Sequence, residues 1–360
     1  MSAVNDEKGR TSMPSNTMKA AVLQKPMQIT METRIRPVPT QGEVLVRVRS
    51  VGVCGSDVHY YTHGRIGPFV VKSPLVLGHE MSGTIEAVGE NVLEARIGER
   101  VAVEPGIPDR VCEYCRIGRY NLCANIRFMA TPPHDGAFVE YVAVPSDFAF
   151  KLPDHVSLDE GALMEPLSVG VYAIHRSGLK AGQSVLIIGA GPIGLVTLQA
   201  ARAAGAGSII VLDLDAGRLA IAKKLGATQT VNSSEGLPLE QVHALTDGCG
   251  TDIVFDAAGS PKTASLAVHL VKRGGRIVMI GFALEDNFPY PLVSAMAKEV
   301  DIVTVFRYAN VYPSAIGLVA EGRIDLKSLV THRFPLEQAE RALQLSDRRE
   351  DGVVKAMVQV

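Results

Sequence analysis

The chain has 360 residues, 47% of them hydrophobic, and its 36 basic and 38 acidic residues leave a formal net charge of −2. This length predicts two domains with a substantial buried core. The near-neutral charge provides no general field for nucleic acid or an anionic membrane surface, and no apolar run reaches the roughly 18 residues of a transmembrane helix. We therefore expect a soluble, cytoplasmic protein that acts on small molecules, with neither a nucleic-acid nor a membrane partner.

The first segments of the chain are a polar leader and a β-rich unit. Residues 1–17 are polar and lack the apolar stretch of a signal peptide, so we interpret them as a disordered leader without a function. Between Met18 and about Asp147, Gly and Pro turns separate short runs of β-like composition. These runs are MKAAVL, EVLVRVRSVGVC, SGTIEAVG, ERVAVE and FVEYVAVP. The pattern predicts few helices in this unit.

A helical pattern between Leu158 and Ser177 marks the predicted junction between two domains. Beyond it, strands and helices alternate up to about Val305. The apolar strand runs are SVLIIGAG, SIIVLDLD, TDIVFDAAG, GRIVMIGF and VDIVTVF. Repeated βαβ units of this kind predict a parallel sheet covered on both faces. The last 50 or so residues contain a helix-like EQAERALQLS and a strand-like VVKAMVQV. The pattern allows this last strand to return to the first unit and pair there.

A glycine-rich turn follows the first strand of the alternating unit. VLIIGAGPIG places Gly189, Gly191 and Gly194 in the GxGxxG register, which lets backbone approach a pyrophosphate at a helix N-terminus. Asp213 ends the next strand about 20 residues later, where a carboxylate can accept a hydrogen bond from a ribose 2′-hydroxyl. The same carboxylate repels a 2′-phosphate, so NAD is predicted over NADP. Arg218 is expected beside the adenosine.

Three of the five cysteines lie in the segment GIPDRVCEYCRIGRYNLC. Their clustering and odd total favour metal ligation over disulfides. Cys112, Cys115 and Cys123 follow Asp109, and zinc accepts carboxylate oxygen as well as thiolate sulfur. The lobe is therefore a candidate structural zinc site, and occupied and empty states are both open. Cys249 is interpreted as an inert thiol.

A second candidate metal set is scattered along the β-rich unit. Cys54 lies in VGVCGSDVHYY, and His79 and Glu80 lie in LVLGHEMSG. Thiolate, imidazole and carboxylate form a mixed ligand set that suits a catalytic zinc with one open position. Their spacing alone is not a recognisable zinc motif.

Several motifs in one order resemble a known family. CGSDVHYY, GHE, the cysteine lobe and the GxGxxG turn are similar to those of the zinc-containing medium-chain dehydrogenases, from Met18 to Val360. A second set of motifs more specifically resembles the polyol branch, which comprises the sorbitol and xylitol dehydrogenases. These motifs are EPGIP, GRYNLC, ATPPHDG, KLPD, EPLSVG, VFRY and LVTHRFPLEQA. The resemblance implies an α/β fold in which a GroES-like β-rich catalytic domain covers 18–160 and 306–360. A Rossmann domain with a doubly wound parallel sheet, binding NAD, would cover 161–305.

The resemblance also assigns roles around the metal. Cys54, His79 and Glu80 match the zinc-ligand positions of the polyol enzymes, with a water completing the sphere. Glu165 falls where alcohol dehydrogenases of the same superfamily carry another zinc cysteine, and it either ligates zinc or holds the zinc-bound water. Ser56 and Glu165 are candidates for the proton route. In relatives that carry the structural lobe, four cysteines stand at its spacing, whereas here the first is Asp109.

Substrate and cofactor contacts are implied in the same way. The resemblance assigns the distal substrate hydroxyls to Tyr60, Arg307 and Tyr308, together with Glu165. The further cofactor residues that it implies are Ile193, Ile280, Gly281, Phe282, Val305, Phe306 and Arg307. The family is commonly tetrameric, so a homotetramer is expected.

The predicted activity is zinc-dependent oxidation of a secondary hydroxyl of a polyol to a ketose, with hydride transfer to NAD. One alternative is an NAD-dependent dehydrogenase of another secondary alcohol, of the threonine or butanediol type. A second is a catalytically inactive NAD-binding regulator. A zinc-ribbon nucleic-acid module is disfavoured, because such a lobe belongs in a basic setting. The sequence does not indicate which polyol is preferred, since polyols that differ by one carbon or stereocentre are discriminated by few contacts.

Overall fold

The structure is a computed structural model that describes residues 16–282 and 287–360. Fifteen of the 17 residues assigned to the predicted leader lie outside the described residues. Thr17, the last of that segment, already belongs to the first strand.

The first unit consists of short strands with few helices, as its turn-broken sequence predicts. Its strands and helices are β1 (Thr17–Lys25), β2 (Gln28–Ile35), β3 (Glu43–Gly52), α1 (Gly55–His63), β4 (Arg65–Ile66), β5 (Phe69–Val70), β6 (Leu75–Val76), β7 (Glu80–Val88), β8 (Arg100–Val103), β9 (Gly106–Ile107), α2 (Glu113–Arg116), β10 (Arg127–Phe128), β11 (Tyr141–Pro145), β12 (Ala149–Lys151) and α3 (Leu158–Ala162). Short 3-10 turns lie at Glu94–Arg96, Tyr120–Leu122 and Ser146–Phe148.

The second unit alternates strands with helices. Its elements are α4 (Met164–Ser177), β13 (Ser184–Ile188), α5 (Pro192–Ala203), β14 (Ser208–Asp213), α6 (Ala216–Lys224), β15 (Gln229–Asn232), α7 (Pro238–Ala244), β16 (Thr251–Asp256), α8 (Pro261–Leu270), β17 (Val271–Met279), α9 (Leu292–Ala297) and β18 (Asp301–Thr304). The six strands form one parallel sheet in the order β15-β14-β13-β16-β17-β18. This is the doubly wound order of dinucleotide-binding folds, which confirms the predicted Rossmann sheet.

The chain then returns to the first unit. The remaining elements are α10 (Tyr312–Ala320), β19 (Val330–Pro335), α11 (Ala339–Arg348) and β20 (Lys355–Gln359), with 3-10 turns at Lys327–Leu329 and Leu336–Gln338. β20 pairs antiparallel with β3 and parallel with β19, inside a seven-stranded sheet that runs β12-β8-β7-β3-β20-β19, with β11 also on β3. The return that the apolar pattern of the last strand allowed is therefore observed.

Local sequence signals set the ends of three helices. The Ser157 side chain accepts from the Glu160 N–H in a capping box that begins α3. Pro192 stands at the first position of α5, where its missing N–H costs nothing. α4 ends at Gly178 in the left-handed conformation.

The hydrophobic core runs without a break from one unit to the other. One buried cluster joins Ala102 and Leu152 of the first unit, through Leu167 of α4, to Ile187 of the parallel sheet. A second cluster fills the β-rich unit. α4 therefore packs between both units and carries Glu165 in its first turn. The domain limits at 160 and 305 stay a prediction.

Among the residues that the structure describes, no helix is long and apolar enough to span a membrane.

Candidate active site

Strand pairing brings the three predicted ligands of the catalytic metal together. β3 ends at Gly52, opposite Glu80 at the start of β7, and Cys54 is the N-cap residue of α1. The donor atoms of Cys54, His79 and Glu80 all lie within 4.8 Å of one another. His79 and Glu80 are buried, whereas Cys54 is half-buried. A soft thiolate, an imidazole and a carboxylate at such separations fit a tetrahedral zinc with one position left for water or substrate.

Asp57 orients His79. This fully buried carboxylate accepts from the backbone N–H of Cys54 at 3.0 Å and of Gly78 at 2.9 Å, and lies 3.4 Å from His79 Nδ1. Burial by itself would raise the pKa of Asp57, but His79 and the two N–H groups lower it. Burial would likewise lower the pKa of His79, but Asp57 and Cys54 raise it well above its ordinary value. The pocket therefore favours a positive charge at this point, as a metal site does.

Glu80 has a buried cationic partner. Lys355 Nζ lies 2.8 Å from both carboxylate oxygens of Glu80 and donates to the Val53 carbonyl at 3.0 Å. Gly52 supplies the room for Glu80, since a Cβ at this position would collide with Glu80 Oε2. Asp57 and Lys355 are absent from the sequence prediction. The available signals were an acidic residue in the first helical turn after Cys54 and a lysine inside an apolar strand.

Glu165 lies beside this cluster and outside it. Among the described residues the donor set within 4.8 Å comprises the three predicted ligands without Glu165, and its role as ligand or water partner stays a prediction. Its carboxylate is buried and accepts from Tyr308 Oη at 2.9 Å. Burial raises the pKa of Glu165 to about 7, and Glu80 adds to that effect, whereas His79, Tyr308 and Lys355 oppose it. A carboxyl group with this pKa can both accept and release a proton near neutral pH.

The predicted substrate residues converge on the same place. Tyr308 is buried against Glu165, and the Arg307 guanidinium lies 3.9 Å from the centre of the Phe128 ring. Burial lowers the pKa of Arg307, and nearby Tyr308, Glu165 and Tyr60 counter this. Tyr60, on α1, is also buried, which raises its pKa. Ser56 is half-buried in the first turn of α1, two residues after the half-buried Cys54.

The glycine-rich turn and Asp213 meet at the ends of β13 and β14. Gly189 has φ of +100°, and a Cβ on Gly194 would collide with the Gly189 carbonyl oxygen, so both positions need glycine. Asp213 Oδ2 accepts from the Ala190 N–H at 2.5 Å. Arg218 Nη2 donates to the Val353 carbonyl at 3.2 Å. The predicted pyrophosphate and ribose partners are thus adjacent.

The other predicted cofactor residues line the same edge of the sheet. Ile280 and Gly281 follow β17 and donate to the Asp256 carbonyl at 2.9 and 3.0 Å, and Val305 follows β18 and donates to the Met279 carbonyl at 2.9 Å. Phe282 is 68% exposed, with its ring 6.2 Å from that of Phe306. Ile193 is half-buried in the first turn of α5. All of these lie where parallel strands end, which is the usual place for a nucleotide in this fold.

The cysteine lobe forms the second cluster. Donor atoms of Asp109, Cys112, Cys115 and Cys123 lie within 4.8 Å of one another. Asp109 Oδ1 accepts from the N–H groups of Cys112 and Val111, which lower its pKa. Burial, with the neighbouring sulfur and carboxylate groups, raises the pKa of Cys115 to about 12. A set this crowded with electron-rich donors fits a zinc ion, which would hold its thiols as thiolates.

A buried carboxylate that the sequence prediction did not single out lies next to the lobe. Glu104, at the end of the β8 run, is 3% exposed, and its Oε1 accepts from Tyr120 Oη at 2.7 Å. Burial raises the pKa of Glu104 to about 7. Its only sequence signal was its place at the end of an apolar strand. Cys249 is exposed and lies 3.7 Å from the Asp247 carbonyl, apart from both clusters.

Comparison with known proteins places this geometry in a family. The chain matches the alcohol dehydrogenase GroES-like domain over residues 40–154 and the zinc-binding dehydrogenase domain over residues 192–321. It is 45% identical over 347 residues to sorbitol dehydrogenase of Bacillus subtilis (strain 168), covering 96% of this chain and 98% of that protein. It is also 45% identical over 325 residues to sorbitol dehydrogenase of Homo sapiens, covering 90% and 91% of the two chains.

A solved structure agrees. The crystal structure of 2R,3R-butanediol dehydrogenase from Bacillus subtilis superposes with a TM-score of 0.86 at 32% sequence identity, over 95% of this chain and 99% of that one. With the GroES-like β-rich unit, the parallel Rossmann sheet and the mixed donor cluster, these matches show that the chain belongs to the zinc-containing medium-chain dehydrogenases and is an oxidoreductase of the polyol dehydrogenase type.

Proposed function

We propose that this protein oxidises a secondary hydroxyl of a polyol to a ketose and transfers the hydride to NAD. The observation that carries the proposal is the buried Glu165–Tyr308 hydrogen bond beside the Cys54, His79 and Glu80 donor set. It makes the pocket rich in hydrogen-bonding groups, as a substrate with several hydroxyls requires. An enzyme for a simple alcohol needs fewer such groups.

The donor set fits zinc, and zinc bound there supplies a Lewis acid that lowers the pKa of the substrate hydroxyl. The chain's own residues supply the rest. Asp57 holds the His79 ring by its Nδ1 side. Glu165, with its pKa raised to about 7 by burial, takes up and passes on the hydroxyl proton. Ser56, two residues after Cys54 in the first turn of α1, extends the proton route.

The preference for NAD is supported by Asp213. Its carboxylate is held against the glycine-rich turn by the Ala190 N–H, where it can accept from a ribose 2′-hydroxyl and repel a 2′-phosphate. Arg218, the residue that could pair with a 2′-phosphate, is engaged by the Val353 carbonyl.

The distal hydroxyls of the substrate are assigned to Tyr60, Arg307 and Tyr308. Two phenol hydroxyls and one guanidinium supply the donors. Tyr308 donates to Glu165 at 2.9 Å, and the Phe128 face under Arg307 fixes its guanidinium. The domain division at 160 and 305 is part of the proposal, because it places these residues on the catalytic unit at the crevice with the NAD unit.

A substrate panel tests the proposal. The zinc-loaded protein is incubated with NAD and sorbitol, xylitol, ribitol, galactitol or arabinitol, and NADH absorbance is followed. We expect kcat/KM for at least one polyol to exceed that for threonine and 2,3-butanediol by at least about tenfold. Higher activity on threonine or butanediol would replace the polyol with another secondary alcohol. A full zinc complement without turnover on any substrate would favour an NAD-binding regulator.

We also propose that the protein is a cytoplasmic homotetramer. All five cysteines are free, which suits a reducing compartment. Light scattering after size-exclusion chromatography measures the mass, and a single monomeric peak at micromolar concentration would contradict the tetramer.

A further inference from the structure

The loop between β18 and α10, residues 305–311, carries Arg307 and Tyr308 and has an unusual backbone. Arg307 has φ of +53° and Asn310 has φ of +59°, so two non-glycine residues within four positions adopt the left-handed conformation. Such conformations persist where surrounding structure determines them.

One short segment, residues 118–121, contacts the loop on both sides of Arg307 and Tyr308. Asn121 Nδ2 donates to the Phe306 carbonyl at 2.9 Å. Asn310 Nδ2 donates to the Gly118 carbonyl at 2.6 Å, and the Asn310 N–H donates to Tyr120 Oη at 2.8 Å. The two loop positions that this segment holds, 306 and 310, thus flank the two predicted substrate residues.

The 118–121 segment is itself held by the buried Glu104 and by the backbone of the cysteine lobe. Tyr120 Oη donates to the buried Glu104 at 2.7 Å, so this hydroxyl is oriented to accept from the loop. Asn121 is 2% exposed. The segment also lies between Cys115 and Cys123, whose backbone joins it through the Gly118 N–H to Cys115 carbonyl bond at 3.1 Å and the Cys123 N–H to Tyr120 carbonyl bond at 3.0 Å.

We propose that Asn121 and Asn310 are positioning residues, which clamp the 305–311 loop to the cysteine lobe and so hold Arg307 and Tyr308 in place for a polyol. The lobe then has a role in substrate recognition in addition to bracing the fold. This inference rests on the proposed function for its substrate, but the clamp itself is a property of the loop and can be measured without turnover.

Two variants remove one contact each. Asn121→Ala deletes the donor to the Phe306 carbonyl. Asn310→Gly deletes the donor to Gly118 while suiting the left-handed backbone at that position, and because Asn310 is exposed the variant should fold normally. The matched control is Asn91→Gly, since Asn91 is also an exposed asparagine with positive φ, of +65°, in the turn after β7.

Two readouts are compared in the zinc-loaded enzyme. Hydrogen exchange of the 305–311 amides, measured by mass spectrometry without substrate, should quicken about fivefold in both variants, the factor expected for one lost hydrogen bond. The KM for the polyol should rise by a similar factor, while kcat stays within about twofold. Asn91→Gly should match the parent in every measurement.

Unchanged exchange at 305–311 in both variants would overturn the clamp, and so would faster exchange spread evenly over the chain, since that reports a general loss of structure. A parent that oxidises no polyol would defeat the proposed function alone, because the exchange measurement still decides whether the loop is clamped. Faster exchange without any rise in polyol KM would overturn the role in substrate positioning.

Discussion

Lys355 and Glu80 form a buried ion pair across 275 residues of sequence, with Nζ 2.8 Å from each carboxylate oxygen and side-chain exposures of 3% and 1%. The pair joins the C-terminal strand to a predicted metal ligand. Burial lowers the pKa of the ammonium, but Glu80 and Cys54 overcome this and raise it. Lys355 therefore stays charged, and each group depends on the other for its partner.

Lys355→Met should destabilise the zinc-stripped protein by about 3–5 kcal/mol, because the change leaves a carboxylate buried without its partner. Urea unfolding measures this loss. The double variant Lys355→Met with Glu80→Gln should recover part of it, since no charge is then orphaned. The exposed pair Lys19–Glu337 provides the control, and Lys19→Met should leave the unfolding midpoint unchanged. Equal losses for the single and double variants would contradict the pairing.

Gly52→Ala should reduce the zinc bound at the catalytic cluster, because the new methyl group would displace the Glu80 carboxylate. We expect a destabilisation of about 1–3 kcal/mol, as for other overpacked sites. Zinc content and the thermal midpoint measure both effects. Gly317→Ala is the control, since a Cβ there meets nothing within 4 Å and the position is helical. A parent-like zinc content in Gly52→Ala would show that Glu80 can shift without consequence.

Asp213→Ser should move cofactor preference toward NADP. The variant loses the carboxylate that accepts from the Ala190 N–H and that would repel a 2′-phosphate. We expect the ratio of kcat/KM for NAD to that for NADP to fall at least about tenfold, which corresponds to ~1.4 kcal/mol. Asp301→Ser, at the start of β18 and the opposite end of the same sheet, should leave the ratio as in the parent. An unchanged ratio in Asp213→Ser would count against this site for the ribose.

Asp109→Ala tests the cysteine lobe. We expect the parent to hold about two zinc ions per chain and the variant about one, because a three-cysteine site lacks its fourth ligand. Metal analysis after gel filtration gives the stoichiometry, and the exposed Asp154→Ala is the control. One zinc in the parent would mean that the lobe binds none under these conditions.

Glu104 should make stability depend on pH. Burial raises its pKa from 4.5 to about 7, so the folded state holds this proton more tightly than the unfolded state. The stability that protonated Glu104 contributes to the folded state is fully present below about pH 4.5 and is lost as the pH rises through about 7. Glu104→Gln keeps an oxygen acceptor for Tyr120 and removes the titration. Relative to the parent, the free energy of unfolding of the variant should therefore rise by about 3 kcal/mol as the pH goes from about 4 to about 8.5. If the free energies of unfolding of parent and variant, measured by urea unfolding, change in parallel with pH, this prediction is contradicted.

The fold was largely predictable, because its signals are local. Continuous apolar strands followed by helices predicted the parallel sheet, and turn-broken β-runs predicted the first unit. β15 was missed. Its four residues, Gln229–Asn232, form an edge strand with only Val231 buried, so no apolar run marks it.

The site was predictable only in part. The residues Cys54, His79 and Glu80, suggested by chemistry and family resemblance, are brought together by the β3–β7 register. Asp57 and Lys355, which orient two of them, were not foreseen. A lysine in an apolar strand has no recognisable partner until β20 is known to lie beside β3.

The sequence by itself determined most of the alternation of strands and helices, the glycine-rich turn with Asp213, and the types of donor that a metal would find. These follow from composition and spacing over short stretches of chain. Only the tertiary structure decided that Lys355 neutralises Glu80, that Glu104 lies buried under Tyr120, and that residues 118–121 hold the loop of Arg307. Each of these depends on strands and loops far apart in sequence meeting in one place, where burial removes water and makes every unpaired charge or hydrogen-bonding group costly.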